Sequence, residues 1–524
     1  MREYNVILKE GIDYDEFWND IESDTDGGKL YIPNRKVEFT NERPGSLRQC
    51  WYLLTEEEAE QLKLDERVFD VEIPPDHRDD LKMVLRAVQN TDFTKNPATV
   101  DSGDYTNWGL IRSNFDFNCY GTGTSTTASY EYSLTGNGVD VVIQDSGLQV
   151  DHPEFQDEFG VSRVQQINWY TESGLSGTQS ANHYRDFDGH GTHVASTVAG
   201  KFFGWAKKAR VYSQKLSGLE GSGDSGTGIS ITDAFDAIKL WHRNKPVDPK
   251  TGAKRPTVVN MSWGYLTYLG TITSLNYRGT TYTGTSIDTT TELANNYGLV
   301  TAGSGVANVR IPSVDTDIQE MIDAGIVICV AAGNRSHKID VSGGVDYDNY
   351  YNDGDVNYYH RGSSPYDNEA LMVGNMDSTS NSSTLDQKAT SSETGPGVDI
   401  YAPGTNIMSC TSNTNRWGSG SQNYYLNSSY KQTNISGTSM ASPQVAGVAA
   451  LLLEANPKMT PAQIKSAILN NAGTVLYSTG NNNDWTNNRS IKGGSAKILY
   501  NKFNSPTTLT VGGVVMSGIS FQNR

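Results

Sequence analysis

Gly437-Thr438-Ser439-Met440-Ala441-Ser442-Pro443 joins a polar, irregular segment to an apolar run over residues 444–454. The run is small and apolar on nearly every side, a pattern that predicts a buried helix. Pro443 is tolerated because it falls in the first turn. Ser439 therefore lies at a helix start, where free backbone N–H groups and the helix dipole would stabilise an oxyanion. A plain helix cap is the alternative interpretation of this serine.

Composition bounds the class of protein. The 524 residues are 36% hydrophobic and carry a net charge of -18, with a pI of about 4.9. This charge argues against nucleic acid or an anionic membrane as a partner, and no run approaches the ~18 apolar residues of a membrane span. The charged N-terminus is unlike a secretory signal, whereas the Gly- and Tyr-rich composition suits a protein handled outside the cytoplasm. We expect an extracellular or particle-associated protein rather than a resident cytosolic enzyme.

Patterning divides the chain into a small domain, a linker and a large domain. Residues 1–75 predict an α+β unit, in which Asp13 and Thr55 each open a helix with a glutamate three residues later. Residues 76–105 are polar and predict a linker with a processing site, within which Asn96–Asp104 is an exposed stretch of the kind that proteases cut.

The large domain covers residues 106–475, where apolar strands alternate with helices. This alternation predicts an α/β fold with a mostly parallel sheet between helices, whose active site lies at the carboxyl ends of strands. Residues 266–312 and 340–360 interrupt the alternation as insertions, and residues 476–524 form an Asn/Gly-rich C-terminal extension.

The residues that could bind metal form no clear site. The four cysteines are far apart and lack metal-ligand spacing, which predicts free buried thiols, with one disulfide as the alternative. Acidic residues cluster in 340–360 without the closing glutamate of a calcium loop. We expect no catalytic metal and no required cofactor, and a structural calcium ion is left open without a position.

Two more stretches present catalytic residue types at the ends of predicted elements. Asp145 ends the apolar strand that begins at Val141, and His190 begins a helix in Asp188-Gly189-His190-Gly191-Thr192-His193-Val194. With Ser439 they supply what acyl transfer needs: a nucleophile, a base for its proton, and an acid that orients the base. His193 lies one turn beyond His190 and is interpreted as structural. A zinc pair formed by these two histidines would lack a third ligand.

These motifs resemble those of the subtilisin-like serine proteases, the proteinase K branch in particular. The order Asp, His, Ser is that of subtilisin. The similarity extends over about 106–475 and includes the segments His190–Ser196, Gly437–Pro443, Asn107–Arg112 and Ala331–Asn334.

The resemblance implies a three-layer subtilisin-like fold and a serine endopeptidase of polypeptide substrates. Ser439 would be the nucleophile, His190 the base and Asp145 its partner, with the Asn334 side chain and the Ser439 N–H holding the oxyanion. The resemblance also implies substrate-binding segments at Gly221, Ser222, Gly223, Ser262, Trp263, Gly264, Ala331, Ala332 and Gly333.

The N-terminal unit resembles the inhibitory propeptide of that family, a small ferredoxin-like domain. It would assist folding, block the cleft as an intramolecular inhibitor, and be removed by self-cleavage within 76–105.

Three residues depart from the family pattern. Gln144 replaces an aliphatic residue before the acid and needs a hydrogen-bond partner. Gln444 replaces a histidine after Pro443, and Trp263 replaces a leucine at the wall of the substrate cleft. With these changes, we expect a preference for apolar substrate side chains or a broad preference. A protein that uses the fold mainly as a scaffold in an assembly or particle is the second hypothesis.

Overall fold

The computed structural model describes most of the chain in two units, Met1–Leu85 and Arg86–Arg524. The described residues are 1–22, 37, 39–41, 46–74, 77, 87–95, 105–126, 128–268, 274–283, 306–352, 357–359, 362–363, 365–478, 488–501, 508–511 and 514–517.

The first unit alternates strands and helices in the order βαββαβ. Its elements are β1 (Arg2–Leu8), α1 (Tyr14–Glu22), β2 (Phe39–Asn41), β3 (Gln49–Leu54), α2 (Glu56–Leu62) and β4 (Val68–Glu72). The strands form an antiparallel sheet in the order β2-β3-β1-β4. This is the ferredoxin-like arrangement predicted from the sequence.

Both predicted helix starts of this unit are present. The Glu16 N–H donates to Asp13 Oδ1 at 3.0 Å. At α2 the Glu58 N–H donates to Thr55 Oγ1, and the Thr55 N–H donates to the Glu58 carboxylate, which completes a capping box. Strand β3 alternates buried and half-buried residues, so one face of the sheet packs on the helices.

The second unit contains the remaining elements. In chain order they are β5 (Ala87–Gln89), α3 (Gly109–Arg112), β6 (Tyr130–Tyr132), β7 (Asp140–Asp145), α4 (Trp169–Ser173), α5 (His190–Ala199), β8 (Arg210–Lys215), α6 (Ile231–Asn244), β9 (Val247–Asp248), β10 (Ala253–Lys254), β11 (Thr257–Met261), β12 (Leu266–Tyr268), β13 (Ser274–Tyr277), β14 (Thr280–Thr283), β15 (Val306–Asn308), α7 (Pro312–Asp323), β16 (Val327–Ala331), β17 (Tyr350–Asn352), β18 (Asn357–Tyr359), β19 (Leu371–Ser380), β20 (Asp386–Lys388), β21 (Ile400–Pro403), β22 (Ile407–Thr411), β23 (Gln422–Tyr424), β24 (Asn427–Ile435), α8 (Thr438–Ala455), α9 (Pro461–Asn471), β25 (Thr508–Val511) and β26 (Val514–Ser517).

A seven-stranded sheet forms the centre of this unit. Its order is β20-β19-β16-β11-β7-β8, with β21 paired to β19. All pairings are parallel except that of β20 with β19. Strands β7, β11 and β16 are buried at every position, which requires cover on both faces.

Helices provide that cover. Helix α8 packs on β11, β16, β19 and β21 and also against α5, while α6 packs against α7. Sheet and helices therefore form the three-layer α/β fold predicted from the alternation. Helix α8 is buried along nearly its whole length, as its apolar run predicts.

The two predicted insertions are joined in one small sheet. Strands β13 and β14 from the first insertion pair with β17 and β18 from the second, in the antiparallel order β14-β13-β17-β18. This pairing was not predicted because the partners lie 74 to 78 residues apart and each strand has only three or four residues.

The predicted linker and the predicted extension differ from the structure. Residues 87–89, inside the predicted linker, form a strand within the second unit. The exposed stretch predicted at Asn96–Asp104 lies outside the described residues. Leu476 and Ile498, from the predicted extension, form β-bridges to Asp386 and Tyr401 of the central sheet. Strands β25 and β26 pair as an antiparallel hairpin.

Candidate active site

Asp145 and His190 form a hydrogen-bonded pair at one edge of the central sheet. Asp145 is the last residue of β7, and His190 is the first residue of α5. His190 Nδ1 lies 2.8 Å and 3.0 Å from the two Asp145 carboxylate oxygens. The carboxylate therefore accepts from Nδ1–H, so that Nε2 is left as the basic nitrogen.

The pair is only slightly exposed, which strengthens the interaction. Asp145 is 2% and His190 14% exposed. Burial acts to lower the pKa of His190, but the adjacent charge and hydrogen bond of Asp145 outweigh it, so the pKa lies above its ordinary value. The raised pKa makes the neutral imidazole a stronger base, and it stabilises the imidazolium that forms when His190 accepts a proton.

A buried carboxylate, Asp186, holds the turn that carries His190. Its Oδ1 accepts from Ser146 Oγ at 3.0 Å and from the Gly189 N–H at 2.8 Å. Its Oδ2 accepts from the N–H and hydroxyl of Thr192 at 2.9 Å and 2.6 Å. Asp186 thus ties the start of α5 to the residue that follows Asp145. Sequence reasoning missed it, because no local pattern links Asp186 to Ser146, which is 40 residues away.

Ser439 lies on the first turn of α8, beside the end of β11. Ser439 Oγ donates to the Ser262 carbonyl at 3.2 Å, and Ser262 Oγ donates to the Ser439 carbonyl at 2.9 Å. Gln144 of β7 pairs with Met261 of β11. The residues that follow them, Asp145 and Ser262, therefore lie at the same end of the sheet, where these two strands finish. The structure thereby brings Ser439 to the edge that carries Asp145 and His190. Among the described contacts, Ser439 Oγ makes no hydrogen bond to His190.

Asn334 faces the start of the same helix. Its Oδ1 accepts from the Thr438 N–H at 2.9 Å and from the Thr438 hydroxyl at 3.2 Å. Because a backbone N–H can only donate, these bonds fix the orientation of the amide. Its Nδ2 and the Ser439 N–H have no acceptor among the described residues, so both donors are free for a developing oxyanion.

A cleft of about 390 Å³ opens beside Ser439. It contains most of the substrate-binding residues predicted from the sequence. Its lining comprises Ser262, Trp263, Gly264, Leu266, Asn308, Ala331, Gly333, Asn334, Arg335, Ser363, Thr438 and Ser439. Ala332 is buried behind this lining.

The predicted segment Gly221–Gly223 lies outside the cleft lining. It forms a turn with positive φ at Gly221 and Gly223, and a Cβ at Gly221 would come within 2.7 Å of the Asp188 backbone nitrogen. The turn therefore lies against the segment just before His190.

The departures from the family pattern are accommodated in different ways. The Gln144 side chain donates to Gln214 at 2.9 Å, but its amide oxygen is buried and has no partner among the described residues. Trp263 packs against Phe235 and Tyr265 at the cleft wall. His193 is fully buried with Nε2 3.0 Å from the Ile407 carbonyl, and burial lowers its pKa to about 3. A neutral, buried His193 fits the predicted structural role.

The acidic residues of the second insertion pair with cations. Asp346 accepts from Arg278 and Lys338 at 2.7 Å and 2.8 Å, and Lys338 also contacts Asp340. Within the described ranges, no group of three or more His, Cys, Asp or Glu side chains is arranged to hold a metal ion. Asp353 and Asp355 lie outside the described residues. All four cysteines are buried free thiols.

No helix in the described part of the chain is long and apolar enough to cross a bilayer.

Comparison with known proteins identifies the family. The model of the subtilase family, Peptidase_S8, matches residues 136–491. An extracellular serine proteinase of Thermus sp. (strain Rt41A) is 28% identical over 340 residues, covering 65% of this chain and 56% of that protein. Proteinase R of Parengyodontium album is 28% identical over 425 residues, covering 80% of this chain and 77% of that protein.

Among solved structures, a cold adapted subtilisin-like serine proteinase covers 75% of this chain and 98% of its own at a TM-score of 0.45 and 23% identity. The family assignment rests instead on the family model, which spans more than half of the chain and includes Asp145, His190, Asn334 and Ser439. The chain belongs to the subtilase family, which confirms the resemblance seen in its motifs. It spans little more than half the length of the Thermus relative.

Proposed function

We propose that this chain is a serine endopeptidase that hydrolyses peptide bonds through Asp145, His190 and Ser439. The observation that carries the proposal is the Asp145–His190 pair at the sheet edge where Ser439 begins a buried helix. The names of the relatives, all serine proteinases or proteases, support it.

The first half of the reaction forms an acyl-enzyme. Ser439 Oγ turns from the Ser262 carbonyl toward His190 Nε2, gives up its proton and attacks the scissile carbonyl carbon. The imidazolium then protonates the leaving amine, and the peptide C–N bond breaks. Asp145 stabilises the charged imidazole throughout. In the second half, water attacks the ester by the same route and releases the new carboxylate.

The oxyanion formed in each half is met by two donors. These are the Asn334 Nδ2 group and the Ser439 N–H, and the helix dipole of α8 adds to both. Thr438 supports the arrangement because its two hydrogen bonds keep Nδ2 directed away from itself.

Substrate would lie as an extended strand along the cleft. Trp263 and Gly264 follow β11 without backbone hydrogen bonds of their own among the described residues, so their backbone groups are free to pair with a peptide. Gly221–Gly223 would supply the opposite edge. The packed Trp263 ring favours apolar or broad side-chain preference.

The N-terminal unit is proposed to be an inhibitory propeptide removed by self-cleavage. Its ferredoxin-like topology and its separation from the second unit support this assignment. Extracellular or particle-associated action, suggested by composition, agrees with the name of the Thermus relative. No cofactor is invoked, and a structural calcium ion has no assigned position.

The test compares the wild-type chain with Ser439→Ala, using Ser466→Ala, an exposed serine on α9, as the matched control. Intact mass and hydrolysis of a denatured protein substrate are measured. Wild type and Ser466→Ala should lose an N-terminal piece and hydrolyse the substrate, whereas Ser439→Ala should stay at 57.3 kDa and be inactive. Turnover by Ser439→Ala, or inactivity of all three chains, would refute the proposal, and the latter would favour the scaffold hypothesis.

A further inference from the structure

Residues 87–95, here called the strap, precede the region that resembles the start of the mature protease, yet they are built into the second unit. Strand β5 of the strap pairs antiparallel with β6, with Gln89 opposite Tyr130. Further along, Asp92 forms a β-bridge to Tyr105, and its carbonyl accepts from the Thr106 N–H at 2.9 Å.

The Gln89 side chain makes the first buried anchor. It is 7% exposed, and its Nε2 donates to the Phe202 carbonyl at 2.8 Å. Its Oε1 accepts from Lys207 Nζ at 3.0 Å. Burial lowers the pKa of Lys207 to about 7. The hydrogen bond to Gln89 therefore helps to stabilise the charged form of this buried lysine.

Phe93 makes the second anchor. It is 2% exposed and belongs to the main hydrophobic core of the second unit. Its backbone carbonyl accepts from the Tyr120 hydroxyl at 2.7 Å. Removing the strap would therefore open the core and leave a buried hydroxyl without its acceptor.

Lys95 makes the third anchor. Its side chain is fully buried, and Nζ lies 4.7 Å from the Tyr120 ring centre and 3.3 Å from Ser380 Oγ. The Tyr120 ring and the Ser380 hydroxyl therefore both hold the Lys95 ammonium group in place. The strap is thus secured at its start, middle and end.

We propose that maturation removes the N-terminal unit by cleavage before Ala87 and that the strap stays in the mature enzyme as part of its core. This inference rests on the proposed self-processing protease function and narrows the predicted 76–105 cleavage range. The scissile peptide bond breaks by the same chemistry: Ser439 takes the acyl group of the N-terminal piece, the amine of the strap-bearing chain takes a proton from His190, and water releases the piece as a carboxylate.

Cleavage after Lys95 is the competing outcome. The strap would then belong to the departing piece, and its release would withdraw Phe93 from the core and the Gln89 amide from Lys207. Cleavage before Ala87 leaves every one of these contacts intact.

The first measurement is the N-terminal sequence of the large fragment after processing of the full chain. The expected result is a first residue at or before Ala87. A first residue at 96 or beyond would overturn the proposal, provided that the strap is absent from the purified enzyme by mass spectrometry.

The second measurement is the thermal midpoint of the processed enzyme. Phe93→Ala should lower the midpoint more than the milder Phe93→Leu, because the side chain fills the core. Val88→Ala, in the same strap but 54% exposed, should leave the midpoint unchanged. Equal midpoints for all four processed enzymes would show that the strap is not part of the mature core.

Failure of self-processing can be told apart from failure of this proposal. If wild type and Ser439→Ala both remain whole, the proposed self-processing is wrong. The strap is then tested in full-length Ser439→Ala chains cut by an added sequence-specific protease, with its recognition sequence placed either before Arg86 or after Asn96. Cutting before Arg86 should preserve the midpoint of the second unit, and cutting after Asn96 should lower it. A midpoint that is lowered by the cut before Arg86 and preserved by the cut after Asn96 would refute the strap's role.

Discussion

At the scale of single residues, the site depends on how a few side chains are paired. Asp145 uses both carboxylate oxygens on His190, which fixes the tautomer that the base needs. Gln444 is also fixed by paired hydrogen bonds, although it lies away from the catalytic residues. It accepts from Trp205 and exchanges hydrogen bonds with Asn107, so this glutamine, a departure from the family pattern, links the apolar helix to the segment that precedes α3.

Asp145→Asn should reduce kcat by roughly 10⁴-fold, because the amide favours the wrong imidazole tautomer. The acidic limb of the kcat/KM profile should also move. In the wild type this limb lies above pH 6.5, since the pKa of His190 is raised. Loss of the carboxylate leaves burial as the dominant influence and shifts the limb to lower pH. A limb at the same pH in both enzymes would show that Asp145 does not set the pKa of His190.

At the scale of secondary structure elements, the start of α5 is held in an unusual way. Its N-cap is Gly189 at φ +91, which offers no side chain to the free N–H groups. Asp186 takes over that task, and through Ser146 it also contacts the end of β7. A helix start and a strand end are thereby joined by one carboxylate.

Asp186→Asn should lower kcat by about 10- to 100-fold with little change in KM, because a small displacement of a catalytic group is enough for such a loss. The new NH₂ group must face an N–H or O–H that now donates to Asp186, which leaves a buried donor unpaired. Steady-state kinetics on one peptide substrate checks this, with the exposed Asp151→Asn as control. Equal kcat values for the two variants would contradict the positioning role.

Helices and strands are predicted from the sequence better than the contacts between distant segments. The helix over residues 444–454 and the helix starts at Asp13 and Thr55 were predicted from the sequence, because apolar runs and capping residues are local signals. Asp145, His190 and Ser439 were found because each ends or begins such an element. Asp186 and the pairing of the two insertions depend on contacts between distant segments, which no local pattern encodes.

At the scale of the whole molecule, the second unit buries several histidines as neutral side chains. Burial lowers the pKa of His152 and His183 to about 4, and that of His193 and His242 to about 3. In the unfolded chain these groups would titrate near pH 6.5. The unfolded state therefore binds more protons than the native state between pH 6.5 and 4.

Each of these histidines should consequently lower the stability of the second unit as pH decreases through that window, by about 1.4 kcal/mol per pH unit. Glu393 acts in the opposite direction, because burial raises its pKa to about 8 and the native carboxyl is already neutral when the unfolded one takes up its proton. Burial also raises the pKa values of Glu154 and Asp399, so carboxyl groups and histidines act against each other, and the histidine contribution must be measured separately.

Replacement of one histidine isolates the effect. His242, 7% exposed and 2.8 Å from Thr257 Oγ1, can be changed to glutamine, which keeps a hydrogen-bonding side chain but cannot titrate. In a Ser439→Ala background, which prevents self-digestion, urea unfolding at pH 6.5, 5.5 and 4.5 should give a shallower pH dependence by about 1.4 kcal/mol per unit. Asn244→Gln, an exposed site on the same helix that cannot titrate, should leave the slope unchanged. If His242→Gln keeps the full slope, the acid sensitivity must come from other groups, because a histidine that stays neutral in both states contributes nothing to linkage.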